Sequence, residues 1–268
     1  MSAASNQSDR RRRPRHAWLY ALRGGRLPSA VCCDGQRYEH VETFKHDFFA
    51  ATGLYRGPAG ELAVLKLGRE NEIATIPADW LGRWLTRREV RLYRLLADVP
   101  GVPRLIGTVG DNGLLHEYVP GRPLRRADRV DDHFFDRLLE LLETLWSRDV
   151  AYVDLNKREN VLLGDDGRPY LIDFQISLHL PRDGWGRWRP LRWLLARFQA
   201  ADRYHALKHK RKLRPDLLGE SERRELANLS IWIRLHRWLT RPITRMRRTV
   251  LARLHRSETN RVAGWSAK

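Results

Sequence analysis

The fold of this chain is decided by the segment Tyr152-Val-Asp-Leu-Asn-Lys-Arg-Glu-Asn-Val-Leu-Leu-Gly-Asp-Asp-Gly-Arg-Pro-Tyr-Leu-Ile-Asp-Phe174. Two short apolar runs, 161–163 and 170–172, flank the connection 164–169, which contains Gly, Asp and Pro. Turn-forming residues between two β-prone runs are typical of a β-hairpin. The segment therefore predicts a loop followed by two antiparallel strands.

Three polar side chains surround this predicted hairpin. Asn160 precedes its first strand and Asp173 follows its second, so both lie at the same end. Mg²⁺ prefers oxygen ligands from one or two protein groups together with substrate phosphates. Asp154 lies in the preceding loop, where it can accept a proton from an attacking hydroxyl. The pattern predicts phosphoryl transfer, and the alternative is a surface hairpin with solvated acids.

The segment resembles the catalytic loop of the protein-kinase-like superfamily, H-R-D-L-K-P-E-N-[IV]-L-L, and the D-F-G turn that follows it. Asn160 and Asp173 keep the usual spacing of thirteen residues, and Lys157-Arg-Glu-Asn160 aligns with K-P-E-N. The resemblance implies an α+β, bilobal protein-kinase-like fold with a small β-rich N-lobe and a short helical C-lobe. It also implies catalytic roles for Asp154 and Lys157, magnesium ligation by Asn160 and Asp173, and use of ATP with Mg²⁺.

The segment departs from that pattern at three points. Tyr152 and Val153 replace His-Arg, one residue, assigned to Asn156, is inserted before Lys157, and Gln175 replaces the glycine after Asp-Phe. The loss of the arginine argues against control by a phosphorylated activation loop. The Asp-Leu-Asn run without a preceding arginine resembles the bacterial lipopolysaccharide-core (Kdo/heptose) sugar kinases. The Asp-Phe-Gln ending resembles the RIO group of atypical kinases.

A kinase-like site also requires a strand lysine for the nucleotide phosphates and a helix glutamate that holds it. Lys66 ends an apolar run that resembles the V-A-I-K strand. Residues 86–96 have apolar positions at helical spacing, and their Glu89 is the predicted partner of Lys66. Glu70 and Glu72 are weaker rivals in the connection after the strand. The alternatives are a solvated lysine and an exposed helix acid.

Residues 101–106 and 113–121 read as two strands and a turn, and the second strand is ended by Pro-Gly. This second strand resembles the interlobe hinge of the family. The resemblance implies that adenine pairs with the carbonyl of Glu117 and the N–H of Val119. His116 would then be the gatekeeper side chain. The alternative is an ordinary edge strand.

The glycine-rich phosphate loop of the family has no clear counterpart here. Its position, counted back from Lys66, falls at 44–49, where the sequence has no glycine. Backbone N–H groups approach phosphate less easily without glycine. Lys45 is the candidate that supplies the missing positive charge. This departure argues against a standard protein kinase, and the lipopolysaccharide-core kinases also lack a regular glycine loop.

Positive charge is concentrated in the C-terminal region. Residues 181–268 contain 23 Lys and Arg against 7 Asp and Glu, a net charge of +16 out of +18 for the chain. The run 230–239 is amphipathic, and after Pro242 an apolar stripe continues beside further arginines. Tryptophan and arginine on amphipathic helices favour an anionic membrane interface. Packing as C-lobe helices and binding to RNA through phosphates are the alternatives, RNA being the weaker.

Composition bounds the location and the domain organisation. Adjacent Cys32 and Cys33 form no disulfide framework, which favours a cytoplasmic protein, with peripheral contact at the inner face of the cytoplasmic membrane as an option. We find neither a signal-peptide apolar region nor a spanning segment. The expected domains are a basic, disordered arm (1–26), an N-lobe (27–118), a C-lobe (119–229) and basic Trp/Arg amphipathic helices (230–268).

The sequence thus predicts an ATP-dependent phosphotransferase that acts on a hydroxyl, with a lipopolysaccharide-core or other lipid-linked sugar at the cytosolic membrane face as the preferred acceptor. A RIO-like serine/threonine protein kinase or ATPase on ribosomal particles is the enzyme alternative. A nucleotide-binding pseudokinase scaffold is the non-enzyme alternative. The acceptor (sugar or protein) and the oligomeric state stay open at this point.

Overall fold

The computed structural model describes residues 21–22, 25–46, 50–70 and 79–227. They divide into two compact units after Leu217. The first unit contains these elements in chain order: β1 (Ala30–Cys33), β2 (Gln36–His46), β3 (Ala50–Arg56), β4 (Leu62–Gly68), α1 (Asp79–Leu95), β5 (Leu105–Val109), β6 (Gly113–Glu117), β7 (Gly121–Pro123), α2 (Phe134–Ser147), β8 (Val150–Ala151), β9 (Val161–Gly164), β10 (Pro169–Leu171), β11 (Leu178–His179) and α3 (Arg189–Leu213).

Six strands form an antiparallel sheet in the order β1-β2-β3-β4-β6-β5. Strand β4 is central, with Lys66 opposite Thr52 on β3 and Leu114 on β6. Apolar side chains on one face of the sheet form a small core, and fully buried Tyr55 and Leu65 are among them. A central strand is held on both edges, so its lysine has a well-defined position.

Helix α1 begins at Asp79, seven residues before the periodic run that predicted it. Its buried residues Val90 and Tyr93, and Leu96 directly after it, belong to a larger core that it shares with α2 and with the strands after it. The helix approaches the end of β4 closely: a Cβ at Gly82 would lie 2.3 Å from the backbone oxygen of Arg69. Only glycine allows that contact, which brings α1 next to the strand of Lys66.

The predicted hairpin is confirmed: β9 and β10 are antiparallel, with Val161 opposite Leu171 and Leu163 opposite Pro169. Gly167 in their connection has φ 75°, the left-handed conformation that such turns require. Strand β7 adds to β9, and β8 pairs with β11. Helices α2 and α3 pack against each other and against β8. The mixed α+β class predicted from the sequence is therefore confirmed.

One predicted strand differs in position. The sequence predicted a strand from Gly101, but β5 begins at Leu105. Residues before it form turns in which the Val99 amide donates to Leu96 and the Val102 amide donates to Val99, and Pro103 has no N–H to offer a sheet.

The second unit is described from Leu218 to Ala227 and contains α4 (Glu220–Ala227). The Gly219 N–H donates to the Glu222 carboxylate at 2.9 Å before its first turn. The amphipathic helices predicted for 230–268 and most of the predicted arm 1–26 lie outside the described residues. Among the helices described, none combines the length and the apolar character that a bilayer crossing needs.

Candidate active site

The strand lysine and the helix glutamate are in direct contact. The Lys66 ammonium donates to both Glu89 oxygens, at 2.9 and 2.8 Å, and also to Asp173 Oδ1 at 2.7 Å. The side chains of Lys66 and Glu89 are only 12% and 2% exposed. One cation thus connects β4, α1 and the residue that follows the hairpin.

Burial and the neighbouring charges shift the pKa values of Lys66, Glu89 and Asp173 in opposite directions. Burial lowers the pKa of Lys66, but the carboxylates of Glu89 and Asp173 outweigh it and raise that pKa above its ordinary value. Burial raises the pKa of Glu89, and the nearby lysine only partly offsets this. Burial also raises the pKa of Asp173, but the Lys66 cation reverses the effect and leaves it below the ordinary value. Lys66 and Asp173 are therefore both charged at neutral pH.

The rival glutamates have other positions. Glu70 accepts a hydrogen bond from the Asn112 side chain at 3.0 Å, and its backbone N–H donates to the Ala21 carbonyl. Glu72 lies outside the described residues. Of the three candidates, the described contacts join Glu89 to Lys66.

Asp154 lies beside the other residues of the loop that carries it. Its Oδ2 accepts hydrogen bonds from Lys157 Nζ at 2.6 Å and from Asn160 Nδ2 at 3.0 Å. The inserted residue Asn156 accepts instead from Lys208 of α3, at 3.0 Å. The insertion is thus held by α3, and Asp154 keeps its contacts with Lys157 and Asn160.

The hairpin brings Asn160 and Asp173 to the same end, because the Ile172 N–H donates to the Asn160 carbonyl at 3.1 Å. Asp173 has φ 63°, a left-handed conformation that aspartate tolerates better than most residues. Its carboxylate points to Lys66, as described above. The hairpin backbone therefore joins the cluster of Lys66, Glu89 and Asp173 to the group of Asp154, Lys157 and Asn160.

Three aromatic rings pack together directly after Asp173, at Phe174. The Phe174 ring contacts Tyr93 of α1 and Tyr152 edge to face, with centroids 5.2 and 5.3 Å apart. The Tyr152 hydroxyl donates to the Ile172 carbonyl, and its own carbonyl accepts from the Ser177 hydroxyl at 2.9 Å. Tyr152, which aligns with the histidine of the kinase pattern, thus joins the loop of Asp154 to the hairpin.

Asp202 of α3 contacts the backbone just before Asp154, and the sequence reasoning missed it. Its two carboxylate oxygens accept the backbone N–H groups of Tyr152 and Val153 at 2.7 and 2.8 Å. Val153 has φ 72°, a strained conformation for a β-branched residue. Burial raises the pKa of Asp202 to about 7, although these two donors oppose the rise. The available signal was an acid at helical spacing with buried Leu195, Ala206 and His209.

Replacing Asp202 by Asn should lower the free energy of unfolding by about 1–3 kcal/mol, since the amide NH₂ would face a buried N–H donor. The turnover number should fall with little change in KM for ATP, because Asp154 directly follows the strained Val153. Urea denaturation and steady-state kinetics measure the two effects. Asp216→Asn, at an exposed acid paired with Arg214, is the control. An Asp202→Asn protein with wild-type stability and turnover would contradict the assignment.

Of the predicted hinge residues, His116 and Glu117 lie at the end of β6 and Val119 follows it. His116 is buried, stacks on Tyr93 at 5.4 Å, and its Nδ1 donates to the Glu117 carbonyl at 2.8 Å. Burial lowers the pKa of His116 to about 4, so the ring is neutral at physiological pH. The Glu117 N–H donates to the Arg104 carbonyl, and the chain continues through half-buried Val119 to β7. The Glu117 carbonyl assigned to adenine thus already accepts one hydrogen bond, and a carbonyl oxygen has two lone pairs.

Lys45 lies on β2, opposite Thr52 of β3, and is exposed. Strands β2 and β3 run antiparallel on the far side of β4 from β6. The connection between them, 47–49, lies outside the described residues. The predicted contact of Lys45 with phosphate stays a prediction.

The oxygen donors fit magnesium. Asp173 offers a charged carboxylate that is 33% exposed, and Asn160 offers an amide oxygen without a further charge. Within the described residues no group of three or more His, Cys, Asp or Glu forms a metal cluster. Magnesium in phosphoryl-transfer sites takes one or two protein oxygens together with phosphates. Asn160 and Asp173 would hold it here.

Comparison with solved structures identifies the architecture. The structure is similar to the Rio2 kinase from Chaetomium thermophilum in an ADP/Mg²⁺-phosphoaspartate complex, with a TM-score of 0.51 and 14% identity over 70% of this chain and 61% of that one. The chain has a protein-kinase-like fold. A second Rio2 kinase structure from the same organism gives a TM-score of 0.50 with 16% identity, over 65% of this chain and 58% of that one.

Sequence relatives of this kinase-like chain are distant. Aurora kinase A-A of Xenopus laevis is 35% identical over 106 residues, 35% of this chain and 26% of the relative. Serine/threonine-protein kinase C of Synechocystis sp. is 29% identical over 156 residues, 52% of this chain and 29% of the relative. The chain spans less than a third of either relative. No protein-family model matches it.

Proposed function

We propose that the chain is an ATP-dependent phosphotransferase with an alcohol acceptor. The contact of Lys66 with both Glu89 and Asp173, next to the group formed by Asp154, Lys157 and Asn160, carries this proposal. It brings together a cation for the nucleotide phosphates, oxygen ligands for magnesium and a carboxylate for the acceptor. These are the parts that phosphoryl transfer needs, since the protein contributes mainly position and charge.

The proposed reaction uses these side chains as follows. Lys66, oriented by Glu89, binds the phosphates of ATP. Asp173 and Asn160 would hold magnesium, which would supply neutralisation of the phosphate charge. Asp154 orients the acceptor hydroxyl, whose oxygen forms a bond to the terminal phosphorus. The bond from that phosphorus to the bridging oxygen breaks, ADP leaves, and the hydroxyl proton passes to Asp154. Lys157 stabilises negative charge on the transferred group.

The preferred acceptor is a sugar on a lipopolysaccharide-core or other lipid-linked glycan at the cytosolic membrane face. Two observations support a compact acceptor. The catalytic run Asp154-Leu-Asn156 resembles that of the lipopolysaccharide-core kinases, and α3 begins at Arg189, only 16 residues after Asp173. So short a connection leaves little chain to form a platform for an extended polypeptide.

A RIO-like protein kinase or ATPase is the second candidate. The Asp173-Phe174-Gln175 ending and the similarity of the fold to Rio2 kinase support it. A pseudokinase that binds nucleotide without transfer is the third reading. The charged state of Asp173 and the contacts of Asp154 speak against it. The chain retains both a carboxylate for magnesium and a carboxylate for the acceptor hydroxyl.

One labelling experiment separates these readings. Purified chain is incubated with ATP labelled on the terminal phosphate, Mg²⁺ and either core oligosaccharide, ribosomal particles or no acceptor, with Asp154→Asn as the inactive control. We expect label on the oligosaccharide. Label on a protein would favour the RIO-like candidate, and nucleotide binding without any transfer or hydrolysis would overturn the phosphotransferase proposal.

A further inference from the structure

A group of exposed tryptophans precedes and begins α3. Trp185 is 80% exposed, Trp188 is 62% exposed and Trp193 is 47% exposed, and Leu194 beside them is also exposed. Trp185 lies in a 3₁₀ turn, Trp188 at the N-terminus of α3, and Trp193 in its first turns. Single exposed apolar residues are ordinary on proteins, but several large ones together mark an interaction surface.

Arginine accompanies these rings. Arg187, Arg189 and Arg197 are exposed on the same segment. Residues 181–197 contain five arginines and one acid, Asp183. We call the three tryptophans together with Arg187, Arg189 and Arg197 the Trp/Arg surface. Its apolar rings and positive charges are complementary to a partner with an apolar interior and negatively charged groups at its surface.

The backbone that carries the Trp/Arg surface is held in place. Arg182 and Arg192 both donate to the Asp149 carboxylate, at 3.2 and 2.6 Å, and the Leu180 N–H donates to the Asp149 carbonyl. A Cβ at Gly186 would lie 1.7 Å from the Pro181 backbone oxygen, so only glycine fits this closed turn. These contacts therefore hold the backbone that carries the exposed indole rings in a defined conformation.

The ring geometry favours a lipid interface over nucleic acid. Trp185 and Trp188 contact each other edge to face at 6.0 Å, and the Arg197 guanidinium covers the Trp193 ring at 5.3 Å. Bases bind to open ring faces, which these contacts partly occupy. An indole at a bilayer interface needs an apolar environment for its ring and water or headgroups for its N–H. Leu194 offers no stacking face, but it can enter the acyl region.

The same helix connects this surface to the catalytic loop. Trp193 precedes Asp202 by nine residues on α3, about 14 Å along a helix axis. Asp202 in turn binds the backbone of Tyr152 and Val153. A bilayer in contact with Trp193 would therefore lie about 14 Å along α3 from the residue that holds the loop of Asp154.

We propose that the Trp/Arg surface docks the protein on an anionic phospholipid bilayer. Docking rests on the proposed function only for its purpose, which is to bring the site to an acceptor embedded in the membrane. Membrane binding itself requires no phosphate transfer. The surface lies within the described residues and is distinct from the predicted helices of 230–268.

The test is co-sedimentation of the full chain with vesicles of phosphatidylcholine, with or without phosphatidylglycerol. The wild type should bind the anionic vesicles and release them as salt rises. Trp185→Ser/Trp188→Ser/Trp193→Ser should lower the partition coefficient more than tenfold, because the variant loses the favourable burial of three large apolar rings. Arg187→Glu/Arg189→Glu should lower it about fivefold or more for each arginine replaced.

The matched control is Trp80→Ser/Trp84→Ser, because these α1 tryptophans are also 59% and 51% exposed. It should bind vesicles like the wild type. Unchanged binding of the triple variant, equal losses in the triple and control variants, or equal wild-type binding to both vesicle types would each overturn the proposal. So would loss of RNA binding, rather than vesicle binding, in the triple variant.

Activity distinguishes this proposal from the proposed function. If docking serves catalysis, the triple variant phosphorylates a soluble core oligosaccharide at the wild-type rate and the vesicle-bound glycan more slowly. A wild type that binds vesicles but phosphorylates neither acceptor would overturn the proposed sugar acceptor and leave docking supported. Should the triple variant fail to fold, the arginine variant alone decides the outcome.

Discussion

Asp154→Asn is expected to lower the rate of phosphate transfer by about 10²–10⁴-fold, the usual contribution of a positioned proton acceptor. The amide keeps the size of the carboxylate and can still accept from Lys157 and Asn160, which lie 2.6 and 3.0 Å from Asp154 Oδ2. It cannot take up the acceptor proton. Affinity for Mg·ATP should therefore stay close to that of the wild type.

Asp173→Asn provides the contrast. It removes a charge that lies 2.7 Å from Lys66 and that is available for magnesium, so Mg·ATP affinity itself should fall. Titration calorimetry with Mg·ATP and single-turnover transfer, measured on both variants, separate binding from chemistry. Asp165→Asn, an exposed acid in the connection of the same hairpin, is the matched control. Normal transfer by Asp154→Asn would show that Asp154 is not the proton acceptor.

Lys66→Met is expected to lower transfer by about 10²–10³-fold, as the loss of one preorganised electrostatic donor does in other enzymes. The methionine fills the space of the alkyl chain but leaves the phosphates without their cation. It also leaves Glu89 buried without a cation, and burial then favours the protonated acid. The fold should persist, because the neutral acid needs no counterion.

A double-mutant cycle with Glu89→Gln tests whether the two residues act as one unit. Glu89→Gln alone should be milder than Lys66→Met, because the lysine remains. The double variant should be no worse than Lys66→Met, since the glutamate acts through the lysine. Losses that multiply in the double variant would mean independent roles. Circular dichroism and thermal unfolding of all three variants serve as the folding control.

Local patterns were enough to predict the hairpin and the helix of Glu89, and the resemblance to the protein-kinase-like superfamily implied the α+β class. Turn residues between apolar runs specify a hairpin, and apolar spacing specifies the buried face of a helix. The predicted hairpin and the loop before it identified Asp154, Asn160 and Asp173 as candidate site residues, and the resemblance to the kinase strand identified Lys66. Their roles in catalysis and in metal binding remain predictions that the variants above will test.

Contacts between residues that are far apart in the chain could not be predicted from the sequence. Nothing near Asn156 indicates that Lys208, 52 residues later, holds the inserted residue and leaves Asp154 beside Lys157. The support of the Trp/Arg surface was equally hidden, because the Asp149 carboxylate and the two arginines that bind it are separated by more than 30 residues.

The sequence by itself determined which side chains are available for phosphoryl transfer and which local elements carry them, because hydrophobic periodicity and turn chemistry act over a few residues. The tertiary structure alone decided that Asp202 holds the strained backbone at Val153 and that exposed Trp193 lies on the same helix as Asp202. Such contacts depend on where packing brings distant segments together, and burial of the shared core sets that arrangement.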